Sequence, residues 1–273
     1  MPTQTVAFFK VGQHVNQIHR GSALTSPIED SKASLMYPYG TDQGDTKNPK
    51  SDDGTSPEII TPVPFTFYGK EYHSLYVNNN GVVSFGVNVS QYTPDPFPLD
   101  SGLPFVAPYW GDVDNMRGGD ILWRQSQDPA LLSRCTDDIN LYFPETSFVA
   151  TWALVATWDH VAYFGSASKK ASILSTLLTT NGKISFIMLN YDDIQWTTGI
   201  ASGGNAKTGL GGIPAQAGFD SGDKVNFYNI PGSRTPDIIN IGKTTNVKVP
   251  GRWVFQVDEF VIGVTTERSD CLM

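Results

Sequence analysis

The chain has 273 residues, with 27 acidic against 19 basic side chains and a formal net charge of −8. That length accommodates one large all-β domain or two small ones with a proper core, and the absence of clustered Lys and Arg excludes a nucleic-acid partner. Only 17% of residues are charged while 26 are Gly, 18 are Pro and 12% are aromatic, a mixture suited to short strands and tight turns. No apolar run approaches the roughly 18 residues of a spanning helix, so no membrane span is expected.

Residues 1–21 place Lys10, His14, His19 and Arg20 around a short apolar patch at 6–9 and lack the apolar stretch of a secretory signal, so no signal peptide is visible. Residues 1–36 read as a flexible N-terminal segment. The polar, turn-rich character continues to about Ser56, and residues 40–54 hold almost no apolar side chain, which predicts a linker or an ordered loop. Within it Asp52-Asp53-Gly54 reads as a turn, because an EF-hand-like loop needs further spaced oxygen ligands and a terminal Glu.

From Pro57 onward, strand-length apolar runs recur between Gly, Pro, Asn and Asp. Residues 71–77 alternate, Asn78-Asn79-Asn80-Gly81 tolerates positive φ, and residues 82–87 follow, which reads as a hairpin. Asn88-Val89-Ser90 is an N-glycosylation sequon, which makes Asn88 a glycan acceptor in a secreted protein. Asp112 and Asp114 sit two apart at a strand end; both carboxylates either cap a turn by accepting backbone N–H bonds or share a calcium ion.

A helix is predicted over residues 129–142, with Asp128 as N-cap, Pro129 at the first helical position, and Leu131, Leu132, Cys135, Ile139 and Tyr142 on one stripe that packs across a sheet. Cys135 on that stripe reads as a buried free thiol, with a bridge to Cys271 as the minor alternative, so no disulfide is expected. Residues 148–158 read as a strand with Phe148, Ala150, Trp152, Leu154, Ala156 and Trp158 on one large aromatic face and small residues opposite. Residues 171–179 and 183–191 flank Thr180-Asn181-Gly182 as a second hairpin.

The Gly-rich run at 199–212 lacks the order of a phosphate loop and reads as a long sandwich loop, a candidate recognition surface. A glycosidase would recruit Asp112, Asp114, Asp192 and Asp193 beside Trp110, Trp123 or Trp196, yet no catalytic motif supports it. The four histidines, His14, His19, His73 and His160, are isolated from any motif nucleophile. Past Asp258, the tail 259–273 shows a strand signal only at 260–264 and is expected to fray.

Taken together, residues 77–85 (VNNNGVVSF), 105–113 (FVAPYWGDV) and 251–255 (GRWVF) resemble the nidogen-like (NIDO) domain of nidogens, tectorins and related mosaic matrix proteins. The runs at 190–199, 215–219 and 231–236 are similar to the tectorin form, and the resemblance spans about residues 37–258. It implies an all-β antiparallel sandwich with one short packed helix and long loops, secreted into the extracellular matrix. Such a module is non-catalytic, has no cofactor, and serves cell-matrix adhesion and matrix assembly with matrix proteins or glycans as partners. The alternative is a carbohydrate-binding or glycoside-processing sandwich.

Overall fold

The computed structural model describes residues 35–259, and most of the expected N-terminal segment, the tail from 260 onward and Cys271 lie outside them. Leu35 and Met36, the last residues of that segment, are tied in: the Leu35 carbonyl accepts from Arg252 Nη2 at 2.6 Å and Met36 is buried.

The strands run β1 (Thr46–Lys47), β2 (Ile59–Phe67), β3 (Lys70–Asn78), β4 (Val82–Phe85), β5 (Phe105–Trp110) and β6 (Asp120–Ser126). After helix α1 (Pro129–Tyr142) come β7 (Trp152–Val161), β8 (Ser172–Thr180), β9 (Ser185–Asp193), β10 (Gln216–Asp220), β11 (Phe227–Asn229) and β12 (Arg252–Gln256). They form two six-stranded antiparallel sheets, ordered β1-β6-β7-β8-β9-β12 and β11-β10-β5-β4-β3-β2. This is the antiparallel all-β sandwich expected from the sequence.

Both expected hairpins are present. Asn78 faces Val82 across the β3–β4 turn, and Thr180 faces Ser185 across the β8–β9 turn, where Gly182 has φ 85°. Helix α1 has the expected bounds, because Asp128 accepts from Leu131 N at 3.0 Å and Pro129 fixes φ in the first turn.

Alternation along β7 builds two cores at once. Trp152, Leu154, Ala156 and Trp158 face the other sheet and pack with Phe65, Phe85, Val83 and Val106. Ala153 and Val155 point the other way and, with Leu177, Phe186 and Met188, receive Cys135, Ile139 and Tyr142 of α1. The small side chains of that face leave room for a helix, so the central strands β7, β8 and β9 are buried on both sides over most of their length.

The strand begins at Trp152, later than residues 148–158 suggest. Ser147 takes a left-handed φ of 46°, and Asn140 of α1 grips Phe148 from both sides, donating to its carbonyl at 2.7 Å and accepting from its N–H at 2.8 Å. Thr136 Oγ1 accepts from Ala150 N at 3.0 Å. The helix therefore takes the backbone bonds that a neighbouring strand would need, and Phe148 and Ala150 join the helix-side core.

Two prolines, Pro62 and Pro64, sit in β2, which is the edge of its sheet, and its register with β3 shifts between Ile60 and Phe65. Among the described residues, no helix is long and apolar enough to cross a membrane.

Candidate functional site

The three asparagines of the β3–β4 turn are all buried, and each fastens a different piece of chain. Asn78 Oδ1 accepts from Val89 N at 2.8 Å while its amide donates to the Val82 carbonyl and to Ser84 Oγ. Asn79 donates to the Ser51 carbonyl at 2.8 Å, and its Oδ1 accepts from Asn48 at 2.9 Å. Asn80 donates to Asp53 Oδ1 at 2.7 Å and accepts from Val113 N at 3.0 Å. Gly81 closes the turn at φ 79°; a β-carbon there would sit 1.9 Å from the Tyr109 carbonyl oxygen, so only glycine fits.

This hub draws the 48–54 loop onto the end of β5. The loop's outer side is held by Lys47 and Lys50, which reach Asp120 at 2.7 and 2.9 Å. Their hydrogen bonds hold the Asp120 carboxyl below its usual range.

As a result, Asp52 and Asp53 meet Asp112, although some sixty residues separate them along the chain. One oxygen from each lies within 4.8 Å of the others. Asp112 is only 2% exposed, and burial, followed by the charges of Asp52 and Asp53, pushes its pKa up to about 7 against a partial offset from the Ala201 N–H. Burial and the Asp53 and Asp114 charges raise Asp52 as well, with Arg117 opposing. Gly199 lies directly against Asp112: a β-carbon at that glycine would stand 2.4 Å from Asp112 Oδ2.

Asp114 is used differently. Its Oδ1 accepts from Met116 N at 3.0 Å and its Oδ2 binds Arg117 Nε at 3.1 Å, the turn-capping role that its position allows. Among the described residues, Asp114 is not in the group of carboxylates close enough to share one ion.

The indoles considered for a sugar platform are structural. Trp110 and Trp196 are buried, donating to the Gln91 and Val161 carbonyls at 2.8 and 3.0 Å, and half-buried Trp123 donates to Asn48 Oδ1 at 2.9 Å. Asp192 and Asp193 are exposed at the end of β9, and His160 is an exposed residue paired with its neighbour Asp159. Asn88 of the sequon is exposed. The 199–212 run is an ordered loop with a short 3-10 turn at Ile200–Ser202.

Sequence reasoning took the asparagines for a tight turn and Asp52-Asp53 for another, and missed that one fastens the other. The available signal was three consecutive amides where a hairpin turn needs only one or two.

The fold and this site define a two-sheet β-sandwich module whose buried polar side chains fasten its long loops to the strand framework. The nidogen-like domain profile matches residues 73–259. Alpha-tectorin of Mus musculus is 52% identical over 226 residues, covering 82% of this chain and 10% of that protein. The nidogen of Drosophila melanogaster is 32% identical over 212 residues, covering 75% of this chain and 15% of its own length. Human nidogen-1 is 27% identical over 252 residues, with 86% and 20% covered. No solved structure matches.

The chain belongs to the nidogen-like domain family, and tectorin and nidogen relatives point to an extracellular matrix protein. It spans 10% of mouse alpha-tectorin and 15% of the fly nidogen. The structured unit reaches further upstream than the family match, since β2 and the 48–54 loop belong to the same sandwich.

Proposed function

We propose that the chain is a non-catalytic, secreted module for cell-matrix adhesion and matrix assembly, which presents a loop-built surface to matrix proteins or glycans. The observation that carries this reading is the nidogen-like match over residues 73–259, shared with tectorins and nidogens. Two features of the fold support it. Trp110 and Trp196, which a carbohydrate-cleaving groove would require as open platforms, are buried and bonded within the fold, and Asp114 is committed to Met116 N and Arg117.

The second feature is a surface at the loop end of the sandwich. Tyr92, Ile200, Leu210 and Ile213 are each about two-fifths exposed there, on loops joined by the Thr93–Ser202 hydroxyl pair at 2.8 Å and by Ile213 N donating to the Ser202 carbonyl at 2.9 Å. Apolar anchors on loops held by a rigid scaffold are what a recognition surface requires. In the secretory pathway, Asn88 carries a glycan beside this framework, since its side chain is free of the core.

Expression of the chain behind a secretory leader in cultured fibroblasts tests the proposal. The expected result is deposition in the detergent-insoluble matrix and a mass loss with an N-glycosidase that the Asn88→Gln variant does not show. Recovery of all the protein in the medium would overturn the adhesion reading, and release of reducing sugar from matrix polysaccharides would overturn the non-catalytic one.

A further inference from the structure

Two carboxylate oxygens at the foot of β5 lack the partners that buried oxygens normally have. Asp112 Oδ2 and Asp52 Oδ1 are both enclosed and accept no hydrogen bond, and the Asp112 side chain is 2% exposed. An enclosed carboxylate oxygen without hydrogen bond or counter-charge is costly, and the third carboxylate, Asp53, adds a like charge beside these two.

The nearby basic groups relieve it only in part, through the Arg117 charge near Asp52. Lys50 is held on Asp120 at 2.9 Å and Arg117 on Asp114 at 3.1 Å, and none of the ion pairs among the described residues includes Asp52, Asp53 or Asp112. The spacing is that of a coordination shell: oxygens each about 2.3–2.6 Å from a calcium ion stand at most about 5 Å apart across it, and the three ligand atoms lie within 4.8 Å of one another.

We propose that Asp52, Asp53 and Asp112 form a divalent-cation site, with water completing the shell. Three oxygen donors and no imidazole or thiolate select a hard cation over zinc or copper. Ligands drawn from a surface loop and a strand end suit the irregular, larger shell of calcium better than the near-ideal octahedron of magnesium. The ion would clip the 48–54 loop to the end of β5 and, through the close packing of Asp112 on Gly199, to the start of the 199–212 loop. The site stands independently of the adhesion reading, and it differs from the Asp112–Asp114 pair suggested by sequence spacing because Asp114 is committed to Arg117.

The test is thermal unfolding and titration calorimetry of the full chain, stripped with EDTA and then titrated with calcium chloride or magnesium chloride. The expected result is one calcium site with Kd on the order of 0.1–1 mM, in the range of extracellular modules, and a Tm raised by about 4 °C at 10 mM calcium. Asp53→Asn, which keeps an oxygen for Asn80 and removes one of the clustered charges, should lose at least tenfold in affinity and melt no lower than the parent in EDTA. Asp112→Asn should lose the calcium response while melting no lower than the parent in EDTA, since it removes a buried charge. Absence of heat and of a Tm shift up to 10 mM calcium, a response to magnesium alone, or unchanged affinity in Asp53→Asn would each overturn the assignment.

Discussion

The indole N–H of Trp158 donates to the main-chain carbonyl of Asn79 at 3.0 Å, a buried bond that joins the centre of one sheet to the hairpin turn of the other. Through it, the aromatic core and the asparagine hub act as one unit: the strand that supplies the hydrophobic stripe also orients the turn that gathers the loops. Replacing Trp158 with Phe leaves that carbonyl unpaired and opens space in a close-packed layer. We expect a cost of about 2–4 kcal/mol. Trp123→Phe, at a half-buried position bonded to Asn48, should cost about 1 kcal/mol. Denaturant unfolding of the two variants checks the difference, and equal losses would contradict it.

The hub makes a second prediction about the 48–54 loop. Asn79→Ala deletes the bonds to Asn48 and to the Ser51 carbonyl, leaving buried groups unpaired at a cost of about 2–3 kcal/mol. Amide exchange should quicken across 48–54 while β8, whose residues are all buried, stays protected at the same denaturant distance from unfolding. Uniform loss of protection in both segments would show that the asparagine does not hold the loop locally.

A third prediction concerns acid. Hydrogen bonds from Lys47 and Lys50 lower the Asp120 pKa in the folded chain. The stability this gives is therefore present above the unfolded carboxyl value of 3.8 and is lost as pH falls through the lower folded value. Because the lysines are about half exposed, screening limits the contribution to about 0.5–1 kcal/mol. Asp120→Asn should be less stable than the parent by that amount at pH 7 and indistinguishable from it at about pH 2. A gap that persists in acid would assign the effect to packing.

Cys135 supplies the fourth. Its thiol is fully buried under α1, and burial, only partly offset by the Tyr37 hydroxyl, pushes its pKa up to about 12. Iodoacetamide at pH 8 should leave the Cys135 peptide unmodified in the folded chain and alkylate it in denaturant, as read by peptide mass mapping. Modification under native conditions would mean that the helix opens readily or packs differently.

Local signals in the sequence carried most of the fold. Asp128 and Pro129 mark the start of α1 because an N-cap and a fixed φ act within one turn, and Asn181-Gly182 marks the β8–β9 hairpin for the same reason. The stripe from Trp152 to Trp158 showed which face of β7 meets the other sheet. What stayed hidden depends on partners distant in the chain. Phe148 continues the alternation of β7, yet Asn140 captures its backbone, and no periodicity reveals that competition. Asp52 and Asp53 look like an ordinary turn until Asn79 and Asn80 bring them to Asp112. Asp112 and Asp114 look equivalent until Arg117 takes one of them.

The most direct measurement of the functional account is saturable binding of the purified, glycosylated chain to decellularised fibroblast matrix, compared with a Leu210→Ser, Ile213→Ser variant. Both replaced side chains are about two-fifths exposed, Leu210 on the 199–212 loop and Ile213 just after it, so the variant should keep its Tm. The account predicts saturable retention of the parent chain and at least a tenfold weaker affinity for the variant. Equal retention of the two, or no retention of the parent, would contradict the claim that this loop surface is what the module presents to the matrix.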